Sequence, residues 1–113
     1  MSLEAISAGH AALLVIDMQN AFIHPEGTLG ISGVDVVPAQ ETVPPVRRLV
    51  EAFQAAGVPV IWTKQVHLER DAARSRKVLP SHTAKRKLCS ALSGSWDADF
   101  VDEIRDLVTD PTY

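Results

Sequence analysis

Residues 12–22 read ALLVIDMQNAF, and an unbroken apolar run within this stretch ends at Asp17. Continuous rather than alternating hydrophobicity predicts a strand buried on both faces, as in a parallel sheet. Asp17 then falls at the carboxyl end of that strand, where open α/β sheets bind their ligands. A carboxylate in this position is partly removed from water, which suits it to proton transfer. The alternative is an Asp that accepts hydrogen bonds from the turn amides of Gln19 and Asn20.

A helix and a second strand follow. Thr42 is a suitable N-cap, and Pro44 and Pro45 fall in the first turn, where a missing N–H is tolerated. The apolar stripe of this helix consists of Val43, Val46, Leu49, Val50 and Phe53. Gly57 is placed to end the helix in a left-handed conformation, and residues 58–63 predict a second buried strand. Strand, helix and strand together predict a βαβ unit with parallel strands.

The remaining segments are less regular. Residues 20–37 are rich in Gly and Pro and predict a loop. Residues 65–94 predict a long connection with a short helix near 84–92. A second helix is expected to begin at Asp97 as its N-cap, with an apolar face made of Phe100, Val101, Ile104, Leu107 and Val108. Asp110 and Pro111 then end that helix, and residues 112–113 predict the entry to a third strand.

The predicted fold class is α/β: a three-layer, Rossmann-like parallel sheet with helices on both faces. We expect it to be incomplete here, because two strands and two helices leave apolar sheet faces and edges uncovered. Residues 1–113 are therefore interpreted as the N-terminal portion of a single domain.

Composition excludes several classes of protein. The 113 residues carry a net charge of −3, which argues against a dedicated nucleic-acid binder. The basic residues are concentrated between Lys64 and Lys87, a distribution typical of a solvated face or subunit contact, or of attraction for an anionic substrate. The single cysteine, Cys89, rules out an internal disulfide and suits a reducing compartment. No apolar run approaches the ~20 residues that span a bilayer, so a cytoplasmic protein without membrane contact is expected.

The stretch LLVIDMQNAF resembles the opening motif of the isochorismatase-like hydrolases, a family that includes nicotinamidases, N-carbamoylsarcosine amidohydrolases, ureidoacrylate hydrolases and biuret hydrolases. The likeness continues through AAGVPVIWT and through GSWDADFVDEI, which is similar to the Gly-x-Trp segment that precedes the third strand in this family. It covers most of the chain in the right order, and Asp-Met-Gln-Asn-x-Phe is its most specific part.

The resemblance implies that Asp17 is the catalytic proton acceptor, working with a lysine near the end of the third strand and a nucleophilic cysteine at a later helix. Neither partner is expected among these residues. Cys89 precedes the Gly-x-Trp segment and is interpreted as a small apolar residue, and Lys64 ends the second strand rather than the third. We therefore expect the 113 residues alone to be inactive.

Three residues are candidates for substrate binding by the same resemblance. Phe22 corresponds to a position that lines the pocket, although a core anchor is equally compatible. Gln19, with Asn20, corresponds to positions that brace the turn. His67 falls in a segment that resembles the Asp-x-His metal segment of nicotinamidases, but Gln65 stands in place of the acid. Because a neutral amide is a poor substitute for a carboxylate ligand, the sequence predicts no metal and no other cofactor; a solvent-facing or capping role is the alternative for His67.

The predicted function is hydrolysis of a C–N amide or carbamoyl bond in a small molecule through a cysteine thioester, by a homo-oligomer. The missing metal ligand argues against a nicotinamidase. Two alternatives stay open: an isochorismatase-type vinyl-ether hydrolase, in which the Asp donates a proton, and a truncated, non-catalytic fragment that acts as a binding or scaffold piece.

Overall fold

The computed structural model describes residues 9–68 and 89–109. In these ranges the chain forms two strands and several helices, most of them a single turn long. In chain order they are β1 (Leu13–Ile16), α1 (Asn20–Ile23), α2 (Thr28–Ile31), α3 (Val37–Glu41), α4 (Val43–Ala55), β2 (Val60–Thr63), a 3₁₀ helix (Trp96–Ala98) and α5 (Asp102–Arg105).

The two strands are parallel, as predicted. Leu13 pairs with Val60 at one end, and Ile16 pairs with Thr63 at the other. The Leu13 N–H donates to the carbonyl of Pro59, 2.9 Å away, so Pro59 contributes its oxygen although it lies before the strand. The in-register pairing brings the carboxyl ends of both strands to the same edge of the sheet.

Helix α4 begins where the sequence predicted. Thr42 precedes its first residue, but the Thr42 hydroxyl donates to the Ala39 carbonyl, 2.6 Å away, instead of capping the helix. Gly57 ends the helix with φ of 73°, and the N–H of Val58 returns to the Phe53 carbonyl, as in a Schellman motif. This confirms the left-handed ending expected from Gly57.

Two predictions of local structure were wrong. Residues 20–37 are not one loop, because α1, α2 and the start of α3 form there as single turns too short to show an apolar period. The second helix begins at Asp102 and not at Asp97, because Asp97 lies in the 3₁₀ helix and its carboxylate binds other segments. The chain between these helices is extended at Asp99 and Val101.

The core lies between the sheet and one layer of helices. It consists of Val15, Met18, Ile23, Val43, Val50, Trp62, Val101, Ile104 and Leu107. On the opposite face of β1, Leu14 is 53% exposed and Ile16 is 61% exposed. The predicted uncovered apolar face is therefore present in the described part of the chain.

Some expectations lie beyond these ranges. The third strand at 112–113 and most of the helix near 84–92 fall outside the described residues; Ser90 and Ala91 form a turn, and Leu92 forms an isolated bridge with His67. Within 9–68 and 89–109, no helix combines the length and apolar character needed to cross a bilayer.

Candidate active site

Asp17 lies at the carboxyl end of β1 and is anchored to the end of β2. Its N–H lies 3.2 Å from the Thr63 carbonyl, and the Thr63 hydroxyl donates to Asp17 Oδ1 across 2.9 Å. Asp17 also has φ of 56°, the left-handed region that L residues with a Cβ rarely adopt. Such strain persists where the surrounding structure holds it, and it is concentrated at functional sites.

The turn amides do not use the Asp17 carboxylate. The Gln19 N–H donates to the backbone carbonyl of Asp17 at 2.8 Å, and the Asn20 N–H donates to the Asp99 carbonyl at 2.9 Å. In the described part of the chain, Asp17 Oδ2 has no hydrogen-bond partner. The turn-capping alternative for Asp17 is therefore not the arrangement found, and one carboxylate oxygen is left for another partner.

Gln19 joins the turn after β1 to the chain after β2. Its side chain is fully buried, and Nε2 donates to the carbonyls of Gln65 (2.8 Å) and Ala98 (2.7 Å). Oε1 accepts from the Gln65 N–H at 2.8 Å. Both amide hydrogens of Gln19 are thus occupied by the chain itself, which braces the site; direct contact between Gln19 and substrate stays a prediction.

Asn20 and Phe22 extend this bracing. Asn20 is buried, and its Nδ2 donates to the Trp96 carbonyl across 2.8 Å. Phe22 is half-buried and packs against the main core and against a small cluster formed by Ala21, Ala91 and Ala98. A core contact is therefore present at Phe22, and its role in lining a substrate pocket stays a prediction.

His67 is fixed by the segment that precedes the 3₁₀ helix. Its Nδ1 lies 2.6 Å from the Ser90 carbonyl. Because a carbonyl oxygen can only accept, Nδ1 carries hydrogen and Nε2 is an acceptor in the neutral ring. Backbone bonds from the His67 N–H to Ala91 and from the Ser93 N–H to His67 hold the two segments together. The ring is thereby oriented, while contact between His67 and substrate is untested.

Lys64 follows Thr63 at the same edge of the sheet. Its Nζ lies 3.6 Å from Asp99 Oδ1 and 4.6 Å from the centre of the Phe100 ring. The first distance is a loose ion pair and the second is within cation–π range. These contacts place Lys64 against Asp99 and Phe100, and its absence from the catalytic residues stays a prediction.

Cys89 and Gln65 were predicted to take no part in catalysis or metal binding. Cys89 is half-buried, and its Sγ lies 3.9 Å from the Ser90 carbonyl, a weak contact. Gln65 is exposed, and it is held through its backbone by Gln19. Among the described residues, no three His, Cys, Asp or Glu side chains are grouped as a metal site would require.

Two functionally placed residues were missed by sequence reasoning. Thr63 was expected only as the last residue of the second strand, and the register that places it beside Asp17 is seen in the structure alone. Asp97 gave no signal of its role: its carboxylate accepts from the Thr28 N–H and hydroxyl (2.9 and 2.5 Å) and from the Ala91 N–H (2.7 Å). It thereby ties α2 to the segment that holds His67.

Comparison with known families agrees with this geometry. A family model described as the isochorismatase domain matches residues 11–113. The match covers nearly the whole chain and includes β1, Asp17, β2 and Thr63. The chain belongs to the isochorismatase family.

A curated relative is similar over most of the chain. Ureidoacrylate amidohydrolase RutB from Enterobacter sp. (strain 638) is 32% identical over 106 residues, which cover 84% of this chain and 46% of the relative. The chain thus spans about half the length of the curated relative it matches. The family is one of hydrolases, and the relative is named as an amidohydrolase.

Proposed function

We propose that this member of the isochorismatase family supplies the acid–base part of an active site that hydrolyses a C–N bond in a small amide or carbamoyl compound. The observation that carries the proposal is the Asp17 carboxylate, held by Thr63 at the carboxyl edge of a parallel pair with Oδ2 free among the described residues. A base must keep one oxygen available for the proton it removes, and this arrangement provides it.

The proposed reaction needs two groups supplied by sequence beyond Tyr113: a cysteine nucleophile and a lysine that stabilises the charged pair. Asp17 takes the thiol proton, and the thiolate sulfur forms a bond to the carbonyl carbon. The C–N bond then breaks, and the departing nitrogen takes a proton and leaves as ammonia. Water adds to the thioester and the C–S bond breaks, which releases the acid and restores the thiol. Residues 1–113 are, in this proposal, the N-terminal portion of one catalytic domain and are inactive alone.

The proposed substrate is an anionic ureido compound. Two findings favour it: the name of the relative, ureidoacrylate amidohydrolase, and the excess of basic residues between 64 and 87 in a chain that is otherwise acidic. A basic segment raises the local concentration of an anionic substrate. Phe22 and His67 are the proposed contacts for the uncharged part of the substrate.

The test is an assay of ammonia release from ureidoacrylate by the longest natural form of the protein that contains these residues. Catalytic ammonia release supports the proposal. An enzyme that leaves ureido and amide compounds intact but cleaves the vinyl ether of isochorismate would overturn it in favour of the other reaction of the family. The 113-residue chain, assayed in parallel, is expected to show only background ammonia.

A further inference from the structure

A cavity of about 380 Å³ lies between α1, the end of α3, the start of α4 and the start of α5. None of the residues at the carboxyl edge of the sheet, including Asp17 and Thr63, lines it. Its volume is within the ~300–1,000 Å³ of small-molecule sites. Nothing in the proposed hydrolysis uses this cavity.

The lining of the cavity combines apolar surface with polar groups. Ile23, Val43 and Val101 are themselves buried and provide rigid apolar walls, with Pro44 beside them. An apolar ligand body would remove the remaining accessible surface of these walls from water, which is favourable. The walls therefore fit a small aliphatic or alicyclic group.

Three polar side chains line the same cavity: His24, Gln40 and Glu103. The Glu103 carboxylate and the Gln40 carboxamide have no hydrogen-bond or ion-pair partner among residues 9–68 and 89–109. His24 Nδ1 accepts from the Glu26 N–H at 3.0 Å, which leaves the Nε2 side of the ring for another partner. Glu103 is the only carboxylate among the described residues that line the cavity.

The neighbouring groups do not reverse this negative charge. A helix start usually attracts anions through its free N–H groups, but Pro44 and Pro45 have none, and the Val46 N–H is bonded to the Thr42 carbonyl. Arg47 donates to the Glu103 carbonyl, yet its guanidinium is already paired with Glu51 and with Asp106. The cavity therefore favours a cation.

We propose that this cavity binds a small organic ammonium ion, with the ammonium group at Glu103 and Gln40 and the hydrocarbon body against Ile23, Val43 and Val101. The binding is independent of the proposed hydrolysis, because the two sites share no lining residue. Trp96 reports on it, since its ring stands edge-on to His24 with the ring centres 4.8 Å apart.

The test is an NMR titration of the longest natural form with cyclohexylammonium, following the Trp96 indole N–H, which is identified by its loss in Trp96→Phe. Saturable shifts are expected, with affinity for the neutral analogue cyclohexanol roughly fivefold weaker, as the loss of one partly exposed ion pair implies. Glu103→Gln should abolish that difference. Glu41 is exposed like Glu103 but lies outside the lining, so Glu41→Gln removes an equal charge and should preserve the difference.

Three results would overturn the proposal. The first is absence of a saturable shift with cyclohexylammonium. The second is equal affinity for the ammonium ion and the alcohol in the unmodified protein, or tighter binding of cyclohexanecarboxylate. The third is an equal effect of Glu103→Gln and Glu41→Gln, which would indicate only long-range attraction of cations to an acidic surface.

Discussion

Asp17 has a left-handed backbone conformation, and its carboxylate accepts a hydrogen bond from the Thr63 hydroxyl. A left-handed residue with a Cβ costs roughly 1–2 kcal/mol, and here the bond from Thr63 to Oδ1 fixes the carboxylate direction in return. The sequence located Asp17 at the strand end from its apolar run. It did not show the partner, because a threonine at a strand end has no pattern of its own until the register is known.

We expect Thr63→Val to lower turnover in the longest natural form about tenfold, because the carboxylate loses a hydrogen bond worth ~1.5 kcal/mol or more. Thr63→Ser retains the hydroxyl and should restore most of the rate. Thr109→Val, at an exposed threonine, is the matched control. Equal turnover of the Val and Ser variants at position 63 would show that Thr63 does not orient the base.

At the scale of elements, sequence patterns predicted the long helix and both strands but not the single-turn helices. Helix α4 is thirteen residues long, which is enough for its apolar stripe to repeat and for Gly57 to mark its end. By contrast, α1 and α2 are each four residues long and are defined by close backbone contact. A Cβ at Gly30 would stand 2.1 Å from the Pro25 carbonyl oxygen, a tertiary approach that no local pattern encodes.

Gly30→Ala should therefore destabilise the fold by about 2 kcal/mol or more, because backbone atoms of Pro25 must move to admit the methyl group. Urea unfolding of the longest natural form measures this. Gly9→Ala, where a Cβ meets nothing within 4 Å, is the control and should be neutral. Equal midpoints for the two variants would contradict the close packing of α2 on the segment before it.

The junction of α4 with α5 gives a pH-dependent prediction. The two guanidinium nitrogens of Arg47 donate to the two oxygens of Asp106 at 2.7 and 2.8 Å, and this pairing lowers the pKa of Asp106 below its ordinary value of 3.8. A carboxyl group whose pKa is lower in the folded state stabilises the fold above its unfolded pKa. That stabilisation is lost as pH falls through the folded value.

We expect Asp106→Asn to lower Tm near neutral pH by a small amount, because the pair is exposed. The difference in Tm between Asp106→Asn and the unmodified protein should disappear as pH falls well below 3.8. Arg47→Lys, which cannot bind both oxygens, should give a similar but smaller gap. A gap that is constant from pH ~6 to pH ~2 would show that the ion pair is not its source.

At the scale of the molecule, the described sheet is covered by helices on one face only. Leu14 and Ile16 remain exposed on the other face, although parallel sheets are normally covered on both. The apolar run at 11–16 predicted that both faces of β1 are buried. It does not specify which residues cover the second face. The expected homo-oligomer is one way to cover such a face and stays a prediction.

The 113-residue chain, prepared alone, should therefore self-associate in size-exclusion chromatography. Leu14→Thr with Ile16→Thr should raise the monomer fraction, because threonine suits a strand and reduces the apolar patch. Val34→Thr with Leu49→Thr changes two other exposed apolar residues (48% and 43% exposed) and is the control. A soluble monomer that melts cooperatively without these substitutions would contradict the claim that the domain is incomplete.

The role of Asp17 as the base is tested by the turnover of Asp17→Asn in the longest natural form. The amide cannot accept the thiol proton, so ammonia release should fall at least ~100-fold. The melting temperature should stay close to that of the unmodified protein, because Asn tolerates the left-handed conformation. Asp35→Asn should retain full activity, because Asp35 is exposed and, within 9–68 and 89–109, its carboxylate accepts only from the Val37 N–H. Turnover by Asp17→Asn equal to that of the unmodified protein would show that Asp17 is not the base.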